Sequence, residues 1–281
     1  MANKKFFNLK IAHHSFILWI SAFLITIGSA FYQKLTGPTY PKRGKIAIGE
    51  STIPFKLLTS KTVHRDAVIK LNVPDTTITG HVQYKRFKSH DDWTNIPLQR
   101  DGEKLFTQLP HQPAAGKLMY FVYLEKDGRT VSLTADEPVV LRYKGDVPAA
   151  ILISHVIFIF LAMLFSNRTA FEALDAQGRS HRLMLWTIGF FIFGGMILGP
   201  LIQKYAFGAL WTGVPFGFDL TDNKTLIALL GWLWAWYKNR NGRDGRGWIF
   251  FAAILMLVIF LIPHSVLGSE LDYTKMPASG N

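Results

Sequence analysis

Five stretches of this chain are almost free of charge, and they limit what the rest can do. They run Ser15–Tyr32, Val147–Ser166, Leu183–Ile202, Leu220–Tyr237 and Trp248–Pro263. A helix crosses about 30 Å of hydrocarbon with about 20 residues, so the second and third stretches fit without adjustment. The fourth needs its flanking polar turn to be helical. The expected fold is a membrane α-helical bundle of about five transmembrane helices with an inserted all-β sandwich domain. Residues 1–32 form a leader and the first helix, 33–146 the sandwich, and 147–281 a four-helix transmembrane region with short loops and an external tail.

The first stretch has a second reading. Lys4, Lys5 and Lys10 precede it, and Gly28-Ser29-Ala30 within it is a small-residue tripeptide of the kind a signal peptidase cuts. The length of the stretch favours an uncleaved anchor. Orientation follows from the short loops. Lys4, Lys5, Lys10, Arg168, Arg179, Arg182, Lys238, Arg240, Arg243 and Arg246 fall on one side. Only Lys204, Lys224 and Lys275 fall on the other. The N-terminus is therefore expected in the cytoplasm, with residues 33–146 and the C-terminus on the opposite, periplasmic side. The net charge of +12 then reflects loops held against anionic lipid, and nucleic acid is not needed to explain it. The absence of cysteine excludes disulfide scaffolds and thiolate metal sites.

Residues 33–146 carry the other 18 Lys and Arg and read as strands separated by breakers. The runs are Ile53–Leu58, Ala67–Val73, Gly80–Phe87, Glu103–Leu109, Lys117–Glu125, Thr130–Thr134 and Pro138–Tyr143. Pro74-Asp75, Asp101-Gly102, Gln112-Pro113 and Asp127-Gly128 punctuate them. This order, with Trp93, the Leu109-Pro110 turn and the Met119–Tyr123 strand, resembles a fibronectin type III or immunoglobulin-like module without its disulfide. The resemblance implies a partner-binding or spacer role, and Tyr120 as either a corner tyrosine or a core aromatic. His64, His81, His90 and His111 share no ligand spacing and read as solvated loop residues. Asp91-Asp92 reads as a hairpin turn or a cation contact.

Chemistry-bearing residues gather toward the periplasmic ends of the spans. His155 lies about 12 Å deep in the second span at 1.5 Å per residue, where an ionisable group marks a functional candidate. Between spans three and four, the stretch Gln203–Lys224 is aromatic, glycine-rich and nearly uncharged until its end, which suits a loop folded back into the membrane interface. Thr221 or Asp222 is expected to cap the fourth span, leaving Asp219 to explain. His264 follows the fifth span, with Glu270 and Asp272 beyond it. The candidate polar cluster is therefore His155, Asp219, Asp222, His264 and Glu270. A metal held by His155, His264 and Asp219 competes with a set of caps and interfacial hydrogen bonds. A haem between the two imidazoles is disfavoured by their different depths.

Gly195 and Gly199 form a G-x-x-x-G pair that favours close helix packing. No phosphate loop, dinucleotide fingerprint, nucleophile elbow or internal repeat is present. The stretch Trp211-Thr212-Gly213 through Thr225, with Pro263-His264-Ser265 downstream, is similar to one in uncharacterised bacterial inner-membrane proteins. That resemblance covers about residues 145–275 and implies an envelope setting without an activity. The leading expectation is a non-enzymatic inner-membrane protein presenting a periplasmic sandwich to another envelope protein, with lipid as its other partner. The rival is a membrane-bound metal or haem enzyme; no cofactor can be read from the chain itself.

Overall fold

The computed structural model describes residues 15–175, 180–240, 244–263, 268 and 270–275. It combines apolar helices with β-sheet and divides into two compact units.

One unit is helical: α1 (Ser15–Thr36), α2 (Ala149–Glu172), α3 (Ser180–Phe191), a π-helical turn (Ile192–Leu198), α4 (Gly199–Phe207), α5 (Leu220–Asn239) and α6 (Arg246–Leu261). Among the described residues, three helices are long and apolar enough to cross a membrane: α1, α2 and the continuous Ser180–Phe207. The apolar α6 has 16 residues, and α5 carries Asp222, Lys224 and Lys238 among its apolar residues. Large apolar side chains are exposed on several helices, including Phe23, Leu24, Ile153, Ile157, Ile197, Leu230 and Val258. A helix bundle in water shows polar outer faces, so this pattern suits an apolar surrounding.

Inside the unit, Met163, Met184, Phe191, Trp232 and Met256 share one core. Small residues set how closely the helices approach. A Cβ on Gly194 would stand 3.0 Å from the Phe158 Cβ and 3.1 Å from the Ile159 backbone nitrogen of α2. A Cβ on Gly195 would stand 3.1 Å from Thr225 of α5. The last carbonyls of α6, which no helical N–H can reach, are met from neighbouring helices. Gln33 donates to Phe260 O at 2.7 Å, and Lys224 donates to Ile262 O at 2.7 Å.

Two basic residues counted among the short loops are buried in helices. Arg168 belongs to α2 rather than to a loop, is 4% exposed, and pairs with Glu172 at 2.6 Å. Lys224 is buried in the first turns of α5 rather than lying in an external loop. Arg168 finds its partner one turn along its own helix, whereas Lys224 meets a carbonyl at the end of α6 that only the folded bundle supplies.

The other unit is β-rich. A hairpin of β1 (Lys42–Ile48) and β2 (Ser51–Leu57) stands beside two sheets. The larger contains β3 (Ser60–Thr62), β5 (Thr79–Arg86), β6 (Thr94–Pro97), β9 (Lys117–Lys126), β10 (Arg129–Ser132) and β11 (Val139–Lys144). Its order is β3-β11-β9-β5-β6, with β10 also on β9 and only β3–β11 parallel. The smaller sheet is β4 (Ala67–Asn72), β8 (Lys104–Leu109) and β7 (Gln99–Asp101). Strand alternation decides which residues are inside. Leu118, Tyr120, Val122 and Leu124 of β9 join Val82, Leu141 and Tyr143 in one core with Ile69, Leu71, Leu105 and Leu109 of the smaller sheet. The Tyr120 hydroxyl donates to Leu58 O at 2.9 Å, so the buried phenol is satisfied.

All seven expected strands are present within one or two residues. Four further strands escaped the sequence: β1, β3, β6 and β7. β1 begins Lys42-Arg43-Gly44-Lys45, which carries no apolar alternation, and the other three have three or four residues each.

Candidate functional site

The most elaborate polar arrangement in the helical unit lies where the chain leaves α4 and returns to α5. Asp219 is the residue before the helix, and its carboxylate accepts from the Thr221 backbone N–H at 2.8 Å. The cap therefore falls on Asp219 and not on Thr221 or Asp222. One carboxylate suffices for a cap, which leaves Asp222 available for other donors.

Asp222 holds the preceding loop. Its Oδ2 accepts from the backbone N–H of Thr212 at 2.6 Å and of Gly213 at 3.0 Å. Gln203 of α4 donates to the same oxygen at 3.1 Å and to the Thr212 hydroxyl at 2.5 Å. Asn223 accepts from the Val214 N–H at 2.7 Å. The loop is closed on itself by Asp219 N–H to Thr212 O at 3.0 Å and by Phe216 and Gly217 N–H groups to Gly213 O at 2.9 Å. Two glycines make this approach possible. A Cβ at Gly213 would lie 2.6 Å from the Asp222 Cβ, and one at Gly217 would run into the Thr212 carbonyl oxygen. Asp219, Asp222, Lys224 and Gln203 are all buried, and Asp219 is within electrostatic reach of Lys224. Buried ionic groups are retained only where partners replace water, and here backbone amides supply most of them.

His155 of α2 lies elsewhere in the unit. Its Nδ1 is 2.9 Å from Gly194 O, in the π-helical turn. A carbonyl only accepts, so Nδ1 carries the hydrogen and a neutral ring keeps its Nε2 lone pair. The ring also packs near Gly199, whose added Cβ would stand 3.8 Å from His155 Cε1.

Glu270 belongs to the β-rich unit, where its carboxylate pairs with both Lys117 and Lys88. The neighbouring tail follows it onto the same surface. Leu271 N–H donates to Ala115 O at 3.1 Å, Tyr273 donates to Gln112 Oε1 at 2.9 Å, and the Arg86 guanidinium lies 4.8 Å from the Tyr273 ring. Asp272 forms a local turn through Thr274. Burial alone would raise the Glu270 carboxyl; the two lysines overcome it and hold it below its usual value of 4.5. A depressed acid contributes stability above its unfolded value and loses it as pH falls through the folded one. Acidification below about pH 4.5 is therefore expected to loosen residues 270–275. Hydrogen exchange of the tail against pH, compared with Glu270→Gln, measures this. A tail whose protection is equal in both proteins throughout would refute it.

Among the described residues, no three His, Asp or Glu side chains form a group that could hold a metal. His264 lies outside the described residues. Of the expected cluster, Asp219 and Asp222 come together at one helix start. His155 is held by a backbone carbonyl and Glu270 by two lysines. Gln203 and Thr212, central to the loop network, were not singled out from the sequence, because nothing in their local pattern distinguishes a residue that will face α5.

On the β-rich unit, the histidines are less free than a loop reading implies. His81 sits on β5, stacked on Tyr123 at 5.0 Å and 2.7 Å from Glu125. His111 pairs with Asp66 at 2.8 Å and His64 with Asp146 at 3.5 Å. Asp91 takes Arg86 through two hydrogen bonds of 2.7 Å, which supports the turn reading of Asp91-Asp92 and holds the carboxyl below its usual range. Trp93, a cue for an immunoglobulin-like core, is 37% exposed. It stands beside Phe121 at 5.4 Å, with Tyr123 next at 5.9 Å, in a row on the sheet face opposite the core. A scan against protein-family models finds no match, and a search of curated proteins finds no relative.

Proposed function

We propose that this chain is an integral inner-membrane protein that presents a periplasmic β-sandwich, immunoglobulin-like in strand order, to another envelope protein. About five helices anchor it, with the N-terminus in the cytoplasm and the C-terminus outside. The observation that carries this reading is the placement of the β-rich segment in the chain. It lies between α1 and α2, each long and apolar enough to cross a membrane, so the chain leaves the bilayer after α1 and re-enters at α2 around a folded insert. The bias of basic residues supports the direction.

The row His81, Tyr123, Phe121 and Trp93 supports the binding role, because aromatic residues concentrate where partners anchor. Recovery of partners from solubilised membranes tests it. The double variant Trp93→Ser, Phe121→Ser is expected to lose the partner while the protein still accumulates and melts as before. Recovery of the same lone protein from wild type and variant would overturn the reading.

The alternative is a membrane-bound metal or haem protein using His155, His264 and Asp219. It is favoured by one observation, the Nε2 lone pair that the Gly194 hydrogen bond leaves on His155. Metal analysis and an absorption spectrum of the purified protein decide it.

A further inference from the structure

We infer that the loop between α4 and α5 is a rigid lipid-inserted wedge, with Phe216 and Phe218 seated in the interface of the periplasmic leaflet. The inference rests on the reading that the helices span a membrane. Phe216 is 81% and Phe218 90% exposed, and Val214 and Leu210 beside them are each 49% exposed. Two nearly bare phenylalanines would be unremarkable on a loose loop. This loop is tied by the Asp222 and Asn223 acceptors, by three internal backbone hydrogen bonds, and by Trp211 Nε1 donating to Val214 O at 3.1 Å. Those bonds fix the backbone that carries the two rings, so the apolar surface belongs to the fold.

Continuity identifies lipid as what covers it. Residues 205–218 contain no charge, whereas a water-facing loop of that length ordinarily carries some. The network brings Thr212 and Gly213 down to Gln203 of α4 and to the first turn of α5. Thr212 and Gly213 therefore lie alongside the helix ends, and the rest of the loop is tied to them through Gly213 O and Thr212 O. The helices it joins show exposed apolar side chains of their own: Ile197 in the π-helical turn, Tyr205 on α4, and Ile227 and Leu230 on α5. The medium that solvates those side chains meets the loop at the same level. Trp211 and Tyr205 are the residue types that favour the headgroup region, and aromatic rings on a monotopic element sit shallowly in it.

The chain has no cysteine, so single cysteines can be introduced at Phe216, Phe218, Val156 and Thr94 in the full-length protein. Each is labelled with an environment-sensitive fluorophore and reconstituted into nanodiscs of phosphatidylethanolamine and phosphatidylglycerol with nitroxide-bearing lipids. Labels at 216 and 218 are expected to emit to the blue of the label at Thr94, an exposed site in the β-rich unit. They should be quenched by headgroup-level nitroxides more than by deep ones, while a label at Val156 in α2 responds to deep ones. Water-like emission at 216 and 218 with a quenched Val156 label overturns the wedge and leaves the membrane reading standing. Water-like emission at all three overturns both. Shielding at 216 and 218 in native membranes but not in nanodiscs would mean a protein covers the loop, and would also overturn the wedge.

Discussion

Asp222→Ala is expected to destabilise the helical unit by about 3–5 kcal/mol, the largest single effect at the α4–α5 corner. One oxygen of this side chain accepts from two backbone amides and from Gln203, all in a buried setting. Removing it strands those donors, and the cost of an unsatisfied buried donor exceeds the net worth of the bond that was lost. Asp222→Asn keeps a carbonyl oxygen that can accept from part of the set, so its loss should be smaller. Thermal melting of the purified protein, with limited proteolysis between residues 208 and 219, checks both. Alanine should lower the melting temperature and open the loop to cleavage. An unchanged melt and an intact loop would show that the glycine-mediated close packing holds the loop without the carboxylate.

Tyr120→Ala should have a comparable effect on the β-rich unit, about 3–5 kcal/mol, by the cavity that a fully buried aromatic leaves. Tyr120 is 0% exposed and lies among Leu118, Val122, Leu141 and Tyr143 in the shared core. Tyr120→Phe separates the two contributions. It keeps the ring and removes only the bond to Leu58 O, so about 1 kcal/mol is expected. Burial raises the Tyr120 phenol far above its ordinary value, so the hydroxyl stays protonated and donates throughout the range in which the protein is handled. Hydrogen exchange across residues 118–124 in the full chain reads both variants. A phenylalanine variant as damaged as the alanine one would place the stabilisation in the hydrogen bond and not in the packing.

Most of the architecture was legible because it rests on one-dimensional signals. Uncharged runs marked the helices, and alternation with turn residues marked seven strands to within a residue or two. Those signals survive folding because burial follows the same period that local geometry imposes. Where the signal was short, as in the three residues of β3 or β7, it vanished into loop. β1 failed for a different reason: its Lys-Arg-Gly-Lys start reads as a charged linker until β2 pairs with it.

The site was legible only as a collection of residue types. Asp219 and Asp222 stood out as acids near a helix start, but which one caps and which one holds the loop depends on where α5 begins, within the three residues that separate them. Lys224 read as an external loop charge and is buried; its ammonium reaches the end of α6, 38 positions away in the chain. Glu270 read as part of a membrane-level cluster, and its partners Lys88 and Lys117 lie far back in the sequence. No periodicity reports such meetings.

Hydropathy and strand period alone therefore determined that apolar helices would flank a β-rich insert, since each is a property of residues a few positions apart. Tertiary structure decided which ionisable groups meet backbone amides, which meet lysines, and which phenylalanines stay bare. Those outcomes depend on long-range approach, limited at Gly194, Gly213 and Gly217 by the space a single Cβ would occupy.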